Sequence, residues 1–205
     1  MSESLRDRKK RLTRQAISDV ATRLFLARGY EQVTIAEIAE AAGVAKMTVT
    51  NYFPRKEDLA LDIADDFVAL LAAAVADRPA GEQVLAALQR RYAEAVARRD
   101  ALVGFAGEPF VRLIQDSPAL SARLRELHEL RERALAARLA DERGTGAEDL
   151  PMRVLAAQLA GAYRVLFDKA FRLIRAGHGE DEVQAALAEA GSRTFSQLAA
   201  GLDRS

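Results

Sequence analysis

The chain has 205 residues, half of them hydrophobic, enough to bury a sizeable core in one large or two small domains. Basic and acidic residues balance at 30 each, so net charge points to no partner, and the absence of cysteine excludes disulfides, thiol nucleophiles and cysteine metal sites. The amino-terminal stretch is charged and has no apolar segment of the signal-peptide kind, and the longest apolar run, near residues 67–76, is too short for a membrane span, which leads us to expect a soluble cytoplasmic protein.

In chain order, nearly everything reads as helix. Ala, Leu, Glu and Arg dominate, alternating β-branched runs are missing, and Gly and Pro cut the chain into about nine helices. The first is expected from about Arg8 to Ala27, ending at Gly29, with an apolar stripe of Ala16, Ile17, Val20, Ala21, Leu24 and Phe25. Charge is concentrated here. Residues 1–30 hold eight basic side chains (Arg6, Arg8, Lys9, Lys10, Arg11, Arg14, Arg23, Arg28) against Glu3, Asp7 and Asp19. A basic end on a neutral protein suits a local anionic partner such as nucleic acid, or is simply a solvated helix face.

The second helix opens at Thr34, where "TIAE" reads as a capping box with Glu37, and runs to Ala42. Gly43 turns the chain, a third short helix covers about Ala45–Phe53, and Pro54 is expected to open a long fourth helix to about Ala76. A domain boundary is placed near residues 60–65, separating residues 1–62 from 63–205. Further helices are expected over about 82–99, 105–115, 118–143 (with Ser117 as cap and Pro118 first in the helix), 149–176 and 180–202.

Residues 35–53 carry the informative pattern. Ile38 and Ala39, then Ala42, Gly43 and Val44, then Val49 and Tyr52 have the spacing of a helix-turn-helix. Ala39 is small where the second helix crosses, and Gly43 supplies the positive φ of a tight turn. On a wheel with Val49 inward, Ala45, Tyr52 and Phe53 fall within about 60° of it, while Met47, Thr50 and Asn51 point away, flanked by Lys46 and Thr48. That face has no carboxylate and holds the chain's only Asn. Asn, Thr and apolar groups are those that read base edges in a major groove.

On these residues, above all "RGY", "AGV" and "YFPRKEDL", the stretch over residues 9–56 resembles the DNA-binding domain of the TetR family of bacterial repressors. The resemblance implies an all-α protein, with a three-helix helix-turn-helix domain followed by a helical ligand-binding and dimerisation domain. It implies an obligate homodimer on double-stranded DNA at a palindromic operator. DNA contacts would come from Arg11 or Arg14, Thr34, the third helix through Lys46, Met47, Thr48, Thr50, Asn51 and Tyr52, and Lys56. Thr50 replaces a frequent aromatic residue, Met47 a frequent Gly and Asn51 a common His, so the division between base and phosphate contacts stays open.

The resemblance also implies a small-molecule effector and dimerisation in the remaining two-thirds. The last two helices are rich in Ala and Leu. Ala156, Ala157, Ala160, Gly161 and Ala162 permit close approach, and Leu155, Leu159, Leu166, Val183, Leu187 and Leu198 supply burial, so two copies would make a four-helix bundle. Candidate pocket residues are Phe67, Leu71, Tyr92, Phe105, Phe110, Leu113, Leu127, His128, Tyr163 and Phe167, each of which also suits an ordinary core. Residues 110–144 resemble a ligand-binding type within the family linked to acyl-CoA-like compounds, and Arg112, Arg123, Arg131 or Arg164 would meet an acidic head group.

No nucleophile elbow or phosphate-binding Gly-rich loop is present, and the only histidines are His128 and His178, so neither catalysis nor a metal or other cofactor is expected. The sign of regulation stays open, as do a regulator that needs no small-molecule ligand and a reading as a helical protein-interaction module. Salt separates DNA binding from that module, because phosphate contacts weaken steeply as salt rises.

Overall fold

The computed structural model describes residues 5–146 and 148–202. Residues 1–4, Ala147 within the predicted 144–150 loop, and 203–205 lie outside the described residues. Nine α-helices are present among those described: α1 Leu5–Arg28, α2 Ile35–Ala41, α3 Lys46–Tyr52, α4 Ala64–Ala76, α5 Val84–Ala97, α6 Glu108–Asp116, α7 Pro118–Arg143, α8 Leu150–Arg175 and α9 Glu180–Leu202. Short 3-10 turns occupy Glu57–Leu59 and Ala101–Val103. The fold is all-α, as the composition implied.

The chain divides into two compact units, Met1–Ala64 with Arg112–Leu124, and Asp65–Val111 with Arg125–Ser205. The helices α4, α6 and α7 each have residues in both.

In the first unit, Ile17, Ala21 and Phe25 of α1 pack with Ile38, Ala39, Val49 and Phe53, all nearly inaccessible. The α1 stripe is narrower than the sequence suggested, since Ala16 is exposed and Val20 and Leu24 are half-buried. The helix starts earlier, at Leu5, and Arg8 to Arg11 are helical, as expected, and exposed.

The fourth helix does not begin at Pro54. A 3-10 turn at Glu57–Leu59 is followed by a second break, and α4 starts at Ala64. The carbonyls that a continuous helix would use are bonded from α1: Ser18 Oγ donates to Leu59 O at 3.1 Å, and Arg14 Nη1 donates to Asp62 O at 2.7 Å. A carbonyl engaged this way is satisfied without the i+4 amide, so the chain can turn here without orphaning those two carbonyls.

Ser117 caps α7 as the sequence suggested, accepting from Leu120 N at 3.3 Å. It also donates to Glu31 Oε1 at 3.1 Å. In the second unit α9 packs on α5 and α8. Ala156, Leu159, Ala160, Leu166, Val183 and Leu187 are buried, while Leu155, Gly161, Ala162 and Leu198 are half-buried and Ala157 is exposed. Apolar side chains remain on the open side of α8: Leu150, Val154 and Val165 are 67%, 50% and 55% exposed. Gly104 sits at φ +102°, and a Cβ there would lie 2.8 Å from Ala170 Cβ, so both backbone angle and close approach require glycine.

Candidate nucleic-acid interface and effector core

Local stops set the position of α3. Thr34 and Glu37 close a full capping box: Thr34 N donates to Glu37 Oε2 at 2.8 Å, and Glu37 N donates to Thr34 Oγ1 at 3.2 Å. The Thr34 amide and the Thr34 hydroxyl, which also donates to Glu37 Oε2 at 2.8 Å, together with Arg28 at 2.8 Å, hold the Glu37 carboxyl down to about 2. At the other end of α2, Val44 N donates to Ala39 O at 3.0 Å and Gly43 N to Glu40 O at 3.1 Å, the paired bonds of a Schellman stop. Gly43 is at φ +65°.

The chain re-enters helix at Lys46 after Ala45, which is extended at φ −68° and ψ 146°. Ala45 is therefore exposed rather than inward, because a wheel does not apply to a residue outside the helix. Val49 is fully buried and Val44 half-buried. Lys46, Met47 and Asn51 are exposed, with Met47 at 69%, while Thr48, Thr50 and Tyr52 are half-buried. The Thr50 hydroxyl donates back to Met47 O at 3.1 Å, within its own helix. A hydroxyl spent inward keeps its lone pairs and its neighbouring methyl as the groups available to a partner.

Arg11 and Thr34 are exposed. Arg14 is half-buried, with its guanidinium 4.6 Å over the Phe53 ring and bonded to Asp62 O, so it ties the break before α4 to α1. Lys56 is also half-buried. Its Nζ donates to Tyr30 O at 2.6 Å and stands 4.1 Å over the Tyr30 ring. The Tyr30 hydroxyl bonds Glu57, and burial foremost, then that carboxylate, pushes its pKa up. "RGY" and "YFPRKEDL" are thus two halves of one contact.

In the second unit, the predicted pocket residues are mostly an aromatic core. Phe67, His128 and Phe167 meet edge to face at 5.0, 5.3 and 5.6 Å, and Tyr92 meets Tyr163 at 5.4 Å. Leu71 and Leu127 are buried in the same unit. Phe105 lies elsewhere, with Gly107, Ile174 and His178 around a recess of about 370 Å³, and Phe110 is half-buried. Leu113 belongs to the first unit. Phe171 and Phe195 extend the ring cluster and were not foreseen.

Of the four candidate arginines, only Arg131 is buried, at 1% exposure. Arg112 and Arg164 are exposed, and Arg123 pairs with Asp58 at 2.8 Å in the first unit. Arg131 lies 4.3 Å over Phe67 and 5.8 Å from the Tyr163 ring, and its Nη2 is 2.8 Å from His128 Nδ1. Its burial was legible in α7: Leu127, Arg131, Leu135 and Leu139 recur every four residues, so a cation holds a place in the apolar stripe. His178 sits at the α8 terminus, its N donating to Leu173 O at 3.1 Å.

Among the described residues no helix is long and apolar enough to cross a membrane. The profile described as "Bacterial regulatory proteins, tetR family" matches residues 17–63. The HTH-type transcriptional regulator TcmR of Streptomyces glaucescens is 36% identical over 150 residues, 71% of this chain and 66% of that protein, so this chain spans just under two thirds of that relative's length. A solved structure from Mesorhizobium loti assigned to the same family has a TM-score of 0.53 at 20% identity, covering 95% of this chain and 98% of that one. The regulator FadR of Bacillus subtilis, solved in complex with stearoyl-CoA, has a TM-score of 0.51 at 17% identity, covering 89% and 97%. The chain belongs to the tetR family of bacterial regulatory proteins.

Proposed function

We propose that this protein is a homodimeric transcriptional repressor that reads a palindromic operator with α3 and leaves it when a small molecule binds its second unit. The observation that carries this reading is the α3 face: Lys46, Met47 and Asn51 exposed, with Thr48 and Thr50 beside them, on a helix that holds no carboxylate and is set between a Schellman stop and the buried Val49. A phosphate-lined groove tolerates such a face, and Asn, Thr and Met groups can read base edges in it. The Streptomyces relative, named as a helix-turn-helix regulator, supports the same reading.

Dimerisation is assigned to α8 and α9. Leu150, Val154 and Val165 fall within about 60° of one another around α8, an apolar strip that a second copy would cover. In the DNA-bound state the two α3 helices stand about 34–36 Å apart, one turn of duplex. The effector favours another state and shifts the balance only by its differential affinity for the two. It is a lipophilic compound, acyl-CoA-like or otherwise, held among the second unit's aromatic residues. The test is selection of genomic fragments by the purified protein at near-physiological salt, followed by sequencing. An enriched palindrome with half-sites about one turn apart supports the dimeric reader. Binding that ignores sequence and salt points instead to a protein-interaction module.

A further inference from the structure

The Arg131–His128 pair has a chemical consequence that fixes what kind of molecule suits this core. Arginine has donors only, so at 2.8 Å from Arg131 Nη2 the His128 Nδ1 must be the acceptor. The His128 proton is therefore on Nε2. Burial first, then the charges of Arg131 and Arg164, push the histidine pKa down to about 3, in keeping with a neutral ring. Burial lowers Arg131 to about 10, so its guanidinium is charged at neutral pH.

Within this pair two buried donors then lack acceptors, His128 Nε2 and Arg131 Nε, as do the Tyr92 hydroxyl and Arg138 Nε elsewhere among the described residues. No carboxylate among those residues lies within ion-pair distance of Arg131, and Asp168, which acts on it only through its field, is 4.0 Å from Arg164. His128 is 7% exposed, and its edge reaches a recess of about 180 Å³ between α7 and α8, which is lined by Arg125, Arg164, Glu129, Glu132, Ala160 and Gly161. A buried cation held only by ring faces and a neutral imidazole is expensive to maintain. An anion entering that recess meets His128 Nε2 first, beside Glu129 and Glu132; Arg131, Phe67 and Phe167 are not in its lining, so the rings must part for its charge to reach Arg131 and its apolar body to lie on them.

We propose that the effector is an organic anion whose carboxylate is bound by Arg131 and His128, with an aromatic or acyl body lying on the surrounding rings. The proposal rests on the ligand-released repressor reading above.

The experiment uses the full chain. Calorimetry compares 2-naphthoate with 2-naphthamide, and octanoate with octanamide, on the wild-type protein. The carboxylates should bind about tenfold more tightly than their amides, the worth of one charge-assisted hydrogen bond. The stronger of the two carboxylates tells an aromatic body from an acyl one. The His128 Nε2 nitrogen resonance should move on adding the carboxylate and stay still on adding the amide. Arg131→Met should lose the preference and melt at a higher temperature, and Arg131→Lys should recover part of the preference.

Carboxylates that bind no better than the amides, or do not bind, overturn the proposal, as does an Arg131→Met protein that keeps the preference. If that variant does not fold, the wild-type and Arg131→Lys measurements decide. Operator binding by ligand-free wild type is measured separately. Its loss would sink the repressor reading, whereas operator binding with no carboxylate preference sinks only this one.

Discussion

Gly43 serves the turn through its backbone angle. A Cβ at that position meets nothing within 4 Å, so φ +65° alone demands glycine. Gly43→Ala should cost about 1–2 kcal/mol, the penalty of placing an L side chain in the left-handed region. Urea unfolding of the two proteins reads that difference directly. Glu37 adds a pH dependence. Its carboxyl is held down to about 2 from an ordinary value near 4.5, so its stabilising contribution is complete above the ordinary value and fades as pH falls toward 2. The stability gap between wild type and Glu37→Gln should therefore be constant near neutrality and close as the solution is acidified from pH about 4.5. The Lys56 ammonium braces Tyr30 O with one of its three donors, and the proposed phosphate contact would use another. Lys56→Ala should lower stability by about 1–3 kcal/mol and weaken binding to all DNA sequences alike. Melting curves and anisotropy on operator and random duplexes separate the two effects.

At the scale of elements, the reading helix is the informative one. Asn51→Ala should relax preference at one base pair by about 1–3 kcal/mol, visible as a flattened position in a sequencing-based selection. An equal loss on every sequence would assign Asn51 to the backbone. The helix-turn-helix was legible because its signals are local: Thr34 and Glu37 are three residues apart, and Gly43 follows directly on α2. The break before α4 was not legible, because it depends on Ser18 and Arg14, more than forty residues away along the chain, bonding Leu59 O and Asp62 O. Ala45 was misplaced by carrying the wheel one residue beyond the helix. Arg131 was visible as a cation in a leucine stripe, but the habit of placing helical arginines in water hid its burial.

For the whole molecule, the question is what the exposed strip on α8 meets. Val154→Glu combined with Val165→Glu would place two charges on that strip, where solvent now reaches half of each side chain. If the strip is the two-fold seam, sedimentation should show a monomer. Operator affinity should collapse with it, since one α3 alone engages a single half-site. An unchanged dimer would move the seam elsewhere. The chain's neutral total conceals this division of labour. The basic surplus sits in the first 30 residues, and the second unit contains a deeply buried arginine whose position in the sequence predicts nothing about charge at the surface.

On the outward side of α3 the Thr50 hydroxyl returns to Met47 O, within its own helix. The anchoring of α3 comes from Val49 beneath and from the stops on either side of α2. If α3 reads the operator as proposed, operator preference and folding are written in separate residues. Positions 47, 48, 50 and 51 can be rewritten as a vocabulary, by drift after gene duplication or by a designer recoding a genetic switch, while the scaffold beneath stays the same.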